Sequence, residues 1–100
     1  MEQLQRLLAA DDADADLHYM IAQEHSGAGE TERAISHYDR CLTLDPGYLY
    51  AHYHKARALE GAGRVDEAIV TLRVGLAAAK ERRDTKASGE MRSYLESLEG

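Results

Sequence analysis

Displaced by thirty-four residues, the sequence falls on itself. His18 meets His52, Tyr19 meets Tyr53, Ala22 meets Ala56, and Gly27-Ala28-Gly29 meets Gly61-Ala62-Gly63. Ala34-Ile35 meets Ala68-Ile69, and Leu42 meets Leu76, which makes nine identities without a gap. A period of this length marks a small supersecondary unit that cannot bury its own apolar face and therefore stacks on copies of itself. That single feature excludes most folds open to a chain of one hundred residues.

Each unit reads as two helices around a turn bracketed by glycine. Pro occurs once, Ala, Leu, Glu and Arg are plentiful, and β-branched residues are scarce, as helices prefer. Residues 15–28 and 48–62 are the expected first helices, and 31–44 and 65–82 the second. Glycines follow the first helices because the residue past a helix end often takes a positive φ. Asp14 is the expected N-cap of one first helix, and Asp45-Pro46 the expected start of the other. Ala22, Ala34, Ala56 and Ala68 recur where the two helices of a hairpin approach closely. Tyr38 and Leu72 follow the second-helix alanines by four residues, one turn along the same face, with Cys41 and Gly75 a turn further.

The pattern resembles the tetratricopeptide repeat, whose signature is Trp-x2-Leu-Gly-x2-Tyr, then Ala-x3-Phe, then Pro. The first unit supplies His18-x2-Ile21-Ala22-x2-His25, Ala34-x3-Tyr38 and Pro46; the second supplies His52-x2-Lys55-Ala56-x2-Leu59 and Ala68-x3-Leu72. His replaces Trp at both leading positions and Lys55 takes an apolar slot, so the hairpin cores are more polar than the family's. Lys80 stands where Pro would end the second unit, which predicts a helix running on towards Arg83. The resemblance implies an all-α, right-handed α-solenoid of stacked antiparallel hairpins, with about six helices.

The ends fit the same scheme. Leu4, Leu7 and Leu8 precede Tyr38, Cys41 and Leu42 by one period, and Asp11 precedes Asp45 likewise. Residues 1–12 therefore read as a capping half-repeat, with a helix over 2–10 whose Leu stripe covers the first hairpin. Repeats follow over 15–48 and 49–82. Residues 86–100 form a C-terminal capping helix whose Met91, Tyr94, Leu95 and Leu98 share one apolar face.

No catalytic or metal constellation assembles. His18 and His25 fall on core positions, and His52 and His54 point about 200° apart on a helix, so no metal or other cofactor is expected. The acidic run Asp11-Asp12-Ala13-Asp14-Ala15-Asp16 lacks the Gly and terminal Glu of a calcium loop. The Gly-Ala-Gly turns follow no strand and precede no Lys-Ser/Thr, so they are not phosphate loops. Cys41 is expected buried and inert, with no second cysteine for a disulfide.

The net charge of −6 argues against a nucleic-acid partner. The basic run Lys80-Glu81-Arg82-Arg83 reads as a solvated helix end. No apolar run approaches a membrane span, and Met1–Arg6 lacks the basic region of a signal peptide. The expected location is the cytoplasm.

A non-enzymatic protein-interaction module is therefore expected. The family's groove positions, carried over to this chain, are Asp16, Tyr19 and Gln23 in the first unit and Tyr50, Tyr53, His54 and Arg57 in the second, with Arg92 and Glu96 added by the last helix. The resemblance implies that these line a concave face holding a peptide or helix of another protein. Tyr and Arg suit such a role. The alternative is self-association, as a homodimer, through the groove or the end helices. Family members that grip a C-terminal carboxylate use Lys and Asn where this chain has Tyr19, Gln23 and His54, which argues against a clamp of that type.

Overall fold

The computed structural model describes residues 2–10 and 12–100, with the side chains of Leu8, Ala9 and Ala10 outside the description. Among the described residues six helices follow one another: α1 (Glu2–Ala10), α2 (Ala15–Gly27), α3 (Thr31–Leu44), α4 (Leu49–Gly61), α5 (Val65–Glu81) and α6 (Thr85–Glu99). Each helix packs on the next, and α4 also touches α2 and α6. The first helices of the units thus form one layer and the second helices another. A thickness of 17 Å in a body 41 Å long fits two such layers. The protein is an all-α solenoid.

Local chemistry sets the helix ends. Asp14 caps α2, its carboxylate accepting the N–H groups of Asp16 at 2.9 Å and Leu17 at 3.3 Å. The α2 and α4 ends turn through Gly29 and Gly63, whose φ values of 77° and 78° suit a residue without Cβ. The following N–H groups then reach back, Glu30 to the His25 carbonyl at 2.9 Å and Arg64 to that of Leu59 at 2.8 Å. The α5 end uses the same closure, Asp84 N–H to Ala79 carbonyl at 2.9 Å, but its positive-φ residue is Arg83 (58°). Asp45-Pro46 does not begin α4 as expected. Asp45 caps the end of α3, and its carboxylate accepts the Gly47 N–H at 3.0 Å, so Pro46 sits in a turn and α4 starts at Leu49.

Two apolar clusters run through the stack. One joins Ala22, Ala34, Tyr38, Cys41, Ala51 and Ala58 from α2, α3 and α4. The other is built on Leu59, Ala68, Leu72, Ala87, Met91 and Leu95 from α4, α5 and α6. The four repeated alanines are fully buried, which lets helix axes close to the 8–10 Å that small contact residues permit. Gly75 marks a close approach of α5 to α4 and α6: a Cβ there would lie 2.6 Å from His52 Cβ and 3.1 Å from Met91 Sδ. Helix α6 seals the second hairpin with Met91, which is fully buried and contributes about 1.5–3 kcal/mol. At the other end the expected Leu stripe is only partly engaged. Leu4 is half-buried and Leu7 is 48% exposed, while Leu8 and Asp11 lie outside the described residues.

The polar core positions foreseen at the repeat leaders are present and satisfied. His18 Nε2–H donates to the Asp12 carbonyl at 2.7 Å, so its Nδ1 is the acceptor for His37 Nδ1–H at 3.0 Å. His25 Nδ1 bonds Glu30 at 2.9 Å, and its ring stacks on His37. His52 reaches the Pro46 carbonyl at 3.4 Å. Lys55 keeps its apolar-slot position by pairing with Asp39 at 2.6 Å, so Asp39 belongs to the α3–α4 contact.

Candidate partner-binding face

The tyrosines of the first helices form a continuous row. Tyr19 on α2 lies 4.9 Å from Tyr48 and 5.8 Å from His54. His54 on α4 stands 5.5 Å from Tyr53, which in turn lies 5.3 Å from Tyr94 on α6 and 6.2 Å from Tyr50. The edge and tilted geometries are those aromatic quadrupoles favour. Tyr19 and Tyr53, expected to converge, are joined through the His54 ring. Tyr48 and Tyr94 complete the row. Tyr94 was legible only as part of the α6 apolar stripe. Tyr48, expected as the first residue of the helix over 48–62, is not among the carried-over groove positions; it stands just before α4.

The phenol groups are tied to carboxylates on neighbouring helices. Tyr48 OH donates to Asp16 at 2.7 Å, Tyr50 OH to Glu90 at 3.2 Å, and Tyr94 OH to Glu60. Gln23 donates to the Tyr19 oxygen at 3.3 Å. Burial, and then the bonded carboxylate, pushes the Tyr48 and Tyr94 phenols well above their usual range, so both stay protonated donors. Burial followed by the nearby Arg57 holds His54 below the ordinary imidazole value, leaving it neutral at physiological pH.

Two notches open beside the row. Gln23, Ser26, Tyr38, His54 and Arg57 line one of about 270 Å³ between α2 and α4. Arg57 is exposed there, and no carboxylate among the described residues pairs with it. The second notch, about 500 Å³ between α4 and α6, is lined by Tyr53, Gly89, Glu90, Ser93, Tyr94 and Ser97. Arg92 is elsewhere: it lines a pocket with Lys80, Arg83, Thr85 and Ser88 where α5 meets α6. Glu96 is exposed on α6.

Between α3, α4 and α5 a pocket of about 490 Å³ is lined by Ile35, Asp39, Lys55, Arg64, Glu67 and Val70 among others. Both of its cations are already paired, Lys55 with Asp39 and Arg64 with Glu67 and the neighbouring Glu32, and Asp66 adds a further carboxylate. Cys41 is fully buried, and burial first, then Asp45 and Asp16, pushes its thiol up to about 12. It is not a thiolate nucleophile at neutral pH. Among the described residues no three His, Cys, Asp or Glu side chains are grouped to hold a metal ion.

Stacked helical hairpins with a ring-lined face define a helical-repeat protein. The tetratricopeptide repeat family profile matches residues 26–87. A TPR repeat-containing protein of Pseudomonas aeruginosa, PA0015, is 31% identical over 99 residues, covering 99% of this chain and 94% of its own. The chain belongs to the tetratricopeptide repeat family. Among solved structures, a tetratricopeptide repeat domain protein from Salinibacter ruber shares 30% identity and a TM-score of 0.80, over 87% of this chain and 88% of that one. PcrH, solved in complex with the chaperone binding region of PopD, superposes with a TM-score of 0.87 at 20% identity, over 95% of this chain and 72% of that one.

Proposed function

We propose that the face formed by α2, α4 and α6 is a concave groove binding a peptide or helix of a partner protein, without catalysis. The observation that carries this reading is the unbroken row of rings flanked by two notches, one of them holding the unpaired Arg57. Rigid rings offer contact area at low entropic cost. The notch beside Tyr53 and Tyr94 suits an apolar side chain, with Gly89 leaving it room. Arg57 and Gln23 suit a carboxylate on the same partner segment. That PcrH, a protein of the same fold, is complexed with a segment of PopD supports the reading. So short a groove buries less than a standard interface, which places affinity in the micromolar range.

Peptides selected from a displayed library on the intact protein, measured by fluorescence anisotropy, test this. Arg57→Glu is expected to weaken them about tenfold and to remove most of the salt dependence. The melt is expected to stay unchanged, because Arg57 is exposed and unpaired. Selected peptides that bind the variant equally well, without perturbing Tyr53 or Tyr94 resonances, would place the partner on another face.

Self-association is the second reading, favoured by one feature. Val70 and Val74, 59% and 55% exposed, lie one turn apart on the outer face of α5. A concentration-dependent dimer by light scattering, abolished by Val70→Lys, would support it.

A further inference from the structure

Where the end of α5 meets the start of α6, Lys80, Arg83, Thr85, Ser88 and Arg92 line a pocket of about 350 Å³. We propose that this pocket binds a phosphoryl group, as the monoester of a small molecule or of a partner's side chain. It lies outside the ring-lined face and does not depend on peptide binding there.

Four observations point the same way. First, three cations converge in a chain of net charge −6, and none pairs with a carboxylate among the described residues. The nearest acid in the chain, Asp84, is occupied by accepting the Ala87 N–H at 2.9 Å, while Glu81 is exposed. Second, Ser88 is only 8% exposed, and its hydroxyl has no hydrogen-bond partner among the described residues. No described side-chain N or O atom is both sealed from solvent and unbonded, so this hydroxyl opens on the pocket that the residue lines. A bound oxyanion would accept from it, in a hydrogen bond strengthened by the ligand's charge.

Third, Arg83 occupies a left-handed position that the two equivalent helix closures give to Gly29 and Gly63. An L side chain there brings its Cβ against the following carbonyl oxygen, and strain of this kind clusters at functional sites. Fourth, Thr85 opens α6 and Ser88 lies in its first turn, so the pocket sits at the positive end of a 15-residue helix dipole. Three cations and two hydroxyl donors match the three terminal oxygens and double charge of a phosphate monoester better than the two oxygens of a carboxylate.

The test is a titration followed by amide chemical shifts at fixed ionic strength. The probes are sodium chloride, inorganic phosphate, ribose 5-phosphate and a phosphoserine tetrapeptide. Saturable shifts at Ser88 and Arg92 are expected with phosphate and its esters, and none with chloride. Ser88→Ala and Arg92→Gln are each expected to weaken binding at least about fivefold, while Arg57→Gln leaves it unchanged. Tighter binding of ribose 5-phosphate than of the tetrapeptide identifies a small-molecule site, and the reverse order identifies a partner's phosphorylated side chain. The proposal is overturned by linear shifts, by an equal response to chloride, by a silent Ser88→Ala, or by esters binding no better than phosphate, which marks an adventitious ion only.

Discussion

Replacing Gly75 by Ala sets two effects of comparable size against each other. Alanine favours a helix interior over glycine by about 1 kcal/mol. Against that, the new Cβ would stand 2.6 Å from His52 Cβ, 3.0 Å from His52 Cγ and 3.1 Å from Met91 Sδ. The Met91 sulfur can swing aside. The His52 Cβ cannot, because it is rooted in the α4 backbone, and relief requires α4 and α5 to separate by about 1 Å. Overpacking costs about 1–3 kcal/mol. A 2.6 Å contact with an atom that cannot yield belongs to the upper part of that range, about 2–3 kcal/mol. The net expectation is therefore a loss of about 1–2 kcal/mol. For a domain of this size that lowers Tm by about 4–16 °C. Gly89→Ala supplies the control. Gly89 lies inside α6, and a methyl group there would meet nothing within 4 Å. Only propensity acts, and a gain of about 1 kcal/mol is expected. Thermal melts by circular dichroism read both. If Gly75→Ala matches or exceeds the parent, α4 and α5 do not approach so closely, and crowding is not the reason for a glycine at this position.

The left-handed Arg83 predicts that Arg83→Gly raises stability by about 1 kcal/mol in urea unfolding, while weakening phosphate binding; a destabilised variant would refute the strain. Asp14→Ala removes two accepted N–H bonds from the start of α2 and is expected to cost about 1 kcal/mol, read in the same assay. Stability is also expected to fall with acid. Burial lowers His37, with the neighbouring His18 and His25 adding to it, and burial lowers His52 and His54. The folded state therefore binds fewer protons than the unfolded one, whose imidazoles titrate near about 6.5. The contribution is complete above that value and is lost as pH falls through the depressed folded values. Melts between pH 8 and pH 5 check it, and a flat profile would contradict the burial of these rings.

Much of the candidate face came from the family resemblance that the repeat disclosed. Tyr19, Gln23, Tyr50, Tyr53, His54 and Arg57 were carried over from the family's groove positions, and the structure has them on α2 and α4, in one layer. Arg92 was harder to place, because its side chain belongs to the α5–α6 junction and no repeat partner marks that seam. His37 joining His18 and His25 was invisible for a similar reason: its role depends on which rings of α2 it meets.

The sequence by itself determined the period, the six helices to within about two residues and the caps at Asp14, Gly29 and Gly63. It also determined the small residues that bring hairpin helices together. These are local or strictly repeating features, set by backbone sterics and by the 3.6-residue helical period, and they need no knowledge of the neighbours. Only the tertiary structure decided that His54 bridges Tyr19 to Tyr53, that Asp39 holds Lys55, that Asp45 ends one helix without starting another, and that Leu7 stays about half exposed. It alone gathered Lys80, Arg83 and Arg92 around a buried serine. Such meetings depend on the angle at which each hairpin packs on the next. That angle is settled by the fit of side chains such as His52 and Met91 around Gly75, a property of shapes in contact that no residue's own preference contains.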